Sequence, residues 1–246
     1  MKPKYSIITP VHVYDEWRLD MLVRAVESVQ KQTYQNFEHI IIDDGSVVPF
    51  NFKGYDRVKI LHQPHLERIR AYNLAFEKAE GEWICMLDSD DEWASYYLEA
   101  CNQMMVQHPK AKVFNFGSIH ISLDYKATPR GTFKPEKKGK GHVNFGGGNI
   151  VNGTYIFKRE CLKKTGVFPD TSSPWDMSTM AQEKYPELRE NFMVDHVNEP
   201  EKIVKELGNP WGNDFLLFYM LTREYHSVPY DCNLYIVHPS RKEHKL

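Results

Sequence analysis

Cysteine is scarce and scattered in this chain of 246 residues. Cys85, Cys101, Cys161 and Cys232 form no Cys-x-x-Cys pair, which argues against a zinc ribbon, a dithiol redox site or a disulfide framework. They read as reduced, mostly buried thiols of a cytosolic protein. Charge of one sign is lacking too: a formal net charge of −2 gives no global pull toward nucleic acid or an anionic membrane. No apolar run approaches the roughly 18 residues that a membrane-spanning helix needs. The opening MKPKYSIITPVH is charged and then strand-like for too few residues to be a signal peptide. These absences point to a cytoplasmic protein with no transmembrane segment and no nucleic-acid partner, leaving open peripheral contact with the inner face of a membrane. Internal repeats and low-complexity tracts are missing as well. The apolar content is ordinary, enough for one domain with a full core or one domain plus a small appendage.

What is present is concentrated in Gly81 to Trp93, GEWICMLDSDDEW, where a continuous apolar run ends abruptly in carboxylates. Trp83 to Leu87 reads as a strand buried on both faces of a parallel sheet. Asp88, Ser89, Asp90 and Asp91 follow at its carboxyl end, the edge at which open α/β sheets bind ligands. Clustered carboxylates repel one another unless a cation joins them. Oxygen-only ligands suit Mg²⁺ or Mn²⁺, ions that keep positions open for substrate phosphates. The plain alternative is a solvated turn in which Ser89 or Asp91 caps the next helix.

Tyr5 to Thr9 reads as a first strand closed by Pro10, and WRLDMLVRAVESVQKQ as a helix with Leu19, Leu22, Val23, Val26 and Val29 on one face. Phe37 to Ile42 is a second buried strand, ending in Asp43, Asp44, Gly45 and Ser46. The β-α-β order implies a parallel pair, which brings two carboxylate clusters to one edge of the sheet. Leu66 to Ala79 and Trp93 to Gln107 have helical spacing, the latter stopping before Pro109. Val113 to Phe116 and Ile119 to Leu123 look like strands around Gly117. Lys126 to Gly148 is rich in Gly, Pro and Lys and reads as a mobile loop. Ile150 to Phe157 resumes strand character, and Lys158 to Lys164 reads as a short helix ended by Gly166. Pro169 to Pro210 is polar and weakly periodic, with a candidate helix from Pro200 to Leu207. Trp211 to Tyr225 is amphipathic and helical, and Leu234 to Val237 is a last strand followed by His238.

SIITPVH, then SVQKQTYQNFEHIIIDDGS, then AYNLAFEKAEGEWICMLDSDDEW follow one another in the order and spacing of family 2 glycosyltransferases. The resemblance covers residues 4 to 117 strongly and resumes in VNGTYIFKRECLKKTGVFPD. It implies an α/β fold of the GT-A type: a mostly parallel twisted sheet flanked by helices, with a Rossmann-like nucleotide-binding half and a smaller acceptor-side half. A single domain over 1–246 is expected, with 1–117 binding a nucleotide sugar and 118–246 carrying the acceptor site and catalytic base. The implied activity is inverting transfer of a sugar from a nucleoside diphosphate to a hydroxyl of a growing glycan. Surface polysaccharide, lipopolysaccharide or glycoprotein glycan would be the product.

By resemblance, Asp88-Ser89-Asp90 is the Asp-x-Asp motif, with Asp90 on Mn²⁺ or Mg²⁺ and Asp88 and Ser89 near the ribose or donor sugar. Asp44 looks like the carboxylate that meets the nucleobase, and Pro10, Val11 and His12 like the loop over the base. His12 and Val13 depart from the family's Pro-x-Tyr-Asn. Arg68, Arg70 and Asn73 are candidates to touch the nucleotide. The donor is expected to be a UDP-sugar, with GDP- or dTDP-sugars as alternatives, and the acceptor a glycan or glycolipid. An inverting transfer needs one carboxylate behind the anomeric carbon to take the acceptor's proton. NPWGNDFLLF resembles the family's Glu-Asp helix start, with Asn213 in the Glu position and Asp214 as the base. A dipole-favoured Asp in a first helical turn would look the same in sequence. His238 resembles a C-terminal histidine that some members place on the metal or diphosphate. Two rival readings are a catalytically silent binding protein of the same fold and a metal-dependent phosphatase. The first predicts loss of Asp90 or Asp214, both present; the second needs its Asp-x-Asp on the first strand. A nucleotidyltransferase would have a glycine-rich loop where Thr9-Pro10-Val11-His12 stands.

Overall fold

The computed structural model describes residues 2–66, 68–122, 124–130, 152–167, 213–225 and 227–239. In chain order the elements are β1 (Tyr5–Val11), α1 (Glu16–Gln30), β2 (Phe37–Asp44), β3 (Val58–Gln63), α2 (Arg68–Lys78), β4 (Trp83–Met86), β5 (Glu92–Trp93) and α3 (Tyr97–Gln107). The second half contributes β6 (Val113–Ile121), β7 (Ala127–Arg130), β8 (Tyr155–Lys158), α4 (Leu162–Thr165), α5 (Asn213–Glu224) and β9 (Ser227–Val237). The strands form one sheet in the order β3-β2-β1-β4-β8-β6-β9-β5, with β7 also on β6. Pairing is parallel from β3 to β4, as the β-α-β reading requires. Beyond β4 the sheet is mixed: β8 runs antiparallel between β4 and β6, while β6 and β9 are parallel.

The apolar runs are continuous because both faces of the sheet are covered. On β4, Ile84 and Met86 face the layer of α2 and α5 with Tyr72, Phe76, Leu217 and Phe218. Trp83 and Cys85 face the opposite layer with Tyr97, Leu98, Met104 and Tyr235. This is the alternation of a pleated strand with no solvent side. Cys85, Cys101 and Cys161 are buried and all four cysteines are free thiols; burial pushes the Cys161 thiol up to about 11. No helix among the described residues is long and apolar enough to cross a membrane.

The far end of the first strands is fixed by a buried carboxylate. Glu38 accepts from Ser6 Oγ at 2.6 Å, Lys59 Nζ at 2.8 Å and the Glu80 N–H at 2.7 Å. Burial alone would raise its pKa, and these donors outweigh it and hold it low. The turn into β4 is thereby tied to β1 and β2.

Several element boundaries differ from those read in the sequence. Trp93 opens no helix: it pairs with Tyr235 in β5, and α3 starts at Tyr97. Val113–Ile121 is one strand through Gly117, with the irregularity absorbed as a register shift against β9. β8 begins only at Tyr155, because Asn152–Thr154 forms a 3-10 turn. Val58–Gln63, unassigned in sequence, is an edge strand whose half-exposed pattern hides it. The run read as a loop from Lys126 starts with β7, an edge strand that tolerates Pro129. The rest of that loop, the segment 169–210 and the candidate helix 200–207 lie outside the described residues.

Candidate functional site

β4 pairs with β1 only as far as Met86 opposite Ile8, whereas β1 continues to Val11 along β2. β2 and β3 lie on one side of β1 and β4 on the other, so the strand order reverses at this gap. That is the topological switch point at which open α/β sheets take ligands. A cavity of about 440 Å³ opens there. The end of β1 supplies Pro10, Val11 and His12, and β2 supplies Asp44. Asp88, Ser89, Asp90 and Asp91 line the opposite wall, with Arg68 and His238 beside them. Two sheet-edge clusters 44 residues apart in sequence number thus share one cavity.

One end of the cavity is built by two imidazoles. His12 Nδ1 and His65 Nδ1 each lie 3.0 Å from the Asp44 carbonyl oxygen. A carbonyl only accepts, so both rings carry their proton on Nδ1. The rings are 4.4 Å apart and tilted by 36°. The Asp44 carboxylate is held by Gln63 Nε2 at 2.6 Å and the Leu66 N–H at 2.9 Å. Gly45 makes this approach feasible: its φ is +72°, and a Cβ there would stand 2.7 Å from the His65 backbone nitrogen. Asp43, beside it, accepts from the Ser46 N–H at 2.9 Å, and Ser46 Oγ in turn accepts from the Val13 N–H at 2.8 Å. The loop after β1 is thereby fastened to the loop after β2.

The carboxylate wall is held from three directions. Asp88 accepts from Tyr72 Oη at 3.2 Å, with the Arg68 guanidinium 3.9 Å away, and its N–H donates to Tyr235 Oη at 3.1 Å. Asp90 pairs with Arg18 at 3.0 Å, and its carbonyl accepts from Arg24 at 2.9 Å. Asp91 is buried and accepts from the His238 N–H at 3.0 Å. Burial, reinforced by the charges of Asp88 and Asp90, pushes the Asp91 carboxyl up to about 8. Glu92 meets Arg24 Nε at 2.9 Å and His238 Nε2 at 2.8 Å. Neither nitrogen is aligned for a hydrogen bond, so the Arg24 approach is an ion pair and the His238 approach a close polar contact. Burial, then the charge of Arg24, holds the His238 imidazole below its ordinary value.

Among the described residues, no three His, Cys, Asp or Glu side chains converge as a closed metal cage. The donor set fits a different kind of site. Carboxylates at the mouth of an open cavity suit an ion that takes one or two of them and completes its shell from water and substrate phosphates. His238 lines the same cavity, with its Nε2 turned to Glu92.

Asn73 and Arg70 are not brought to this cavity; they line a separate groove between α2 and α4. Helix geometry is the reason: Tyr72 and Arg68, four apart, share the face toward Asp88, and Asn73 falls on another. Asp214 stands in the first turn of α5, and its side chain lies outside the described residues. The sequence reading passed over His65, Tyr72, Arg18, Arg24 and Tyr235. One signal was available for Arg18. A cation in the first turn of a helix opposes the dipole and calls for an anion nearby.

The model of the family described as "Glycosyl transferase family 2" matches residues 6–166, more than half of the chain. The chain belongs to that family. A relative, glycosyltransferase GlyG of Streptococcus pneumoniae, is 35% identical over 120 residues, covering 46% of this chain and 38% of GlyG. The Escherichia coli enzyme WfaP, named as a UDP-Glc:alpha-D-GlcNAc-diphosphoundecaprenol beta-1,3-glucosyltransferase, is 29% identical over 153 residues, 58% of each chain. This family 2 chain therefore spans well under two thirds of the length of these relatives. S. aureus TarS 1–349, solved in complex with UDP-GlcNAc, superposes with a TM-score of 0.63 at 17% identity, over 98% of this chain and 60% of that one. The likeness establishes the fold as GT-A type, with a mixed α/β sheet flanked by helices.

Proposed function

We propose that the protein is an inverting, metal-assisted glycosyltransferase that moves a sugar from a nucleoside diphosphate, UDP favoured, to a hydroxyl of a glycan or lipid-linked glycan. The observation that carries this reading is the single cavity at the switch point, with a hydrogen-bonding, aromatic end at His12 and Asp44 and a carboxylate end at Asp88 to Asp90. Family membership and the donor and acceptor that the name of WfaP gives for that enzyme support it, as does the TarS complex with UDP-GlcNAc.

In this reading the nucleobase lies at the His12–Asp44 end. Pro10 and Val11 form the floor, and Asp88 and Ser89 orient the ribose and sugar. Asp90 would hold Mn²⁺ or Mg²⁺, which when bound offsets the charge developing on the leaving diphosphate. The acceptor oxygen forms a bond to the anomeric carbon as the bond from that carbon to the diphosphate oxygen breaks. Its proton passes to the carboxylate of Asp214, and the configuration inverts in one displacement. The base assignment rests on Asp214 opening α5, a helix anchored by buried Leu217, Phe218 and Leu221.

The test is thermal stability against UDP, GDP and dTDP, with and without Mn²⁺, on wild type and Asp90→Ala. A ligand at one hundred times its dissociation constant adds about 2.7 kcal/mol to stability. The expected result is a Mn²⁺-dependent shift with UDP that Asp90→Ala loses. No shift with any nucleotide would remove the donor site from this cavity.

A further inference from the structure

The electrostatics of the carboxylate wall contain one element that the transfer chemistry does not require. Arg18 reaches from the first turn of α1 to Asp90 Oδ2 at 3.0 Å and toward Ser89 Oγ at 3.4 Å. Its guanidinium carbon lies 5.9 Å from the centre of the Tyr14 ring. Arg18 Nε is buried with no hydrogen-bond partner among the described residues. A guanidinium with an orphaned buried N–H, at the helix end where the dipole is also positive, has Asp90 as its one anionic partner among the described ion pairs. Its placement follows from that one carboxylate.

We propose that Arg18 is a built-in counter-ion for Asp90 that a divalent cation must displace to enter the site. The proposal rests on Asp90 as the metal-holding carboxylate. A cation at Asp90 and the guanidinium on the same oxygens repel each other, so the pair and the metal complex are alternative states of one carboxylate. Asp88 and Asp90 stand two residues apart in this turn, and without Arg18 the Asp90 carboxylate would have no counter-charge in contact among the described ion pairs whenever metal is absent. Asp88 has a partial counter-charge in Arg68 at 3.9 Å, and the backbone carbonyl of Asp90 has Arg24, but only Arg18 touches the Asp90 carboxylate among the described ion pairs. Arg18 is thus a positioning residue that lowers metal affinity and keeps the wall ordered between turnovers.

The experiment is direct Mn²⁺ binding, followed by the loss of the free-ion electron paramagnetic resonance signal. Wild type, Arg18→Met, Arg18→Lys and Asp90→Asn would be compared at saturating UDP, with circular dichroism as a check on folding. Arg18→Met, which retains an apolar stem against Tyr14, should bind Mn²⁺ about fivefold more tightly, the scale of a partly exposed ion pair. Arg18→Lys, which keeps the charge, should stay closer to wild type than Arg18→Met does. Loss of binding in Asp90→Asn together with unchanged or weaker binding in Arg18→Met overturns the counter-ion role and leaves the metal site standing. Unchanged binding in Asp90→Asn, or no binding by any of the four, overturns the metal reading and the Arg18 proposal with it.

Discussion

The N–H of Asp88 donates to the phenolic oxygen of Tyr235 at 3.1 Å, a bond between residues 147 apart in sequence. The same hydroxyl interacts with Asp91, so one buried tyrosine from β9 steadies two members of the carboxylate turn. Tyr235→Phe leaves the ring in place and orphans a partly buried N–H. The expected loss is about 1–3 kcal/mol in stability, and the loosened turn should lower turnover more than it lowers nucleotide affinity. Urea denaturation and steady-state kinetics on the same preparation would show both. Unchanged turnover would reduce Tyr235 to a packing residue.

The Tyr235 ring has its own support. A Cβ on Gly153 would stand 1.4 Å from Tyr235 Cε2, a position that no small adjustment can clear. Gly153→Ala should therefore displace the ring and destabilise the fold by at least the 1–3 kcal/mol or so typical of overpacking. If Gly153→Ala melts like wild type, the contact between the 3-10 turn and β9 is looser than described.

His39 sets an acid limit on the fold. It is fully buried in β2, with Nε2 2.9 Å from Thr9 Oγ1 and Nδ1 unpartnered among the described residues. Burial pushes its imidazole down to about 3. Between that value and about 6.5 the unfolded chain binds a proton that the folded protein refuses. Stability is then fully present above about pH 6.5 and falls on acidification by up to about 1.4 kcal/mol per pH unit from this residue. Denaturation at pH 7 and pH 5 should show a shallower acid loss in His39→Gln than in wild type. Equal losses would mean that His39 is protonated in the folded state.

Asp214→Asn should lower turnover by a factor on the order of a thousand while leaving the Mn²⁺-dependent UDP shift intact, because a proton acceptor is removed and the donor cavity is untouched. Calorimetric UDP binding beside an acceptor-dependent assay separates the two. Parallel loss of UDP binding would assign Asp214 to the donor.

The sequence displays the first half of the sheet well because each β-α-β step sets its polar residues at a strand end. Trp83 to Leu87 is apolar on both faces, and the change to Asp88 marks where the sheet stops being buried. Asp44 and His12 are legible for the same reason. What sequence conceals is whatever depends on tertiary approach. His65 follows an edge strand of unremarkable pattern and becomes a wall of the cavity only because Gly45 lets it close on His12. Glu38 looks like a solvated charge in a hydrophobic run, yet four donors make it a buried fixture. Asn73 is the opposite case: the resemblance implied contact with the nucleotide, and the face of α2 it occupies lines a separate groove.

The pairing of β5 with β9 also bears on how the protein comes into being. Glu92 and Trp93 pair with Ile236 and Tyr235, so the segment just after the carboxylate turn acquires its strand partner from the far end of the described chain. On a ribosome, both acidic strand ends emerge long before the tyrosine that holds one of them in shape. A nascent chain that already displays Asp44 and Asp88 to Asp91 would still lack this one of the braces on the turn. The shape of the Asp88 to Asp91 turn is therefore completed only after β9 has been made.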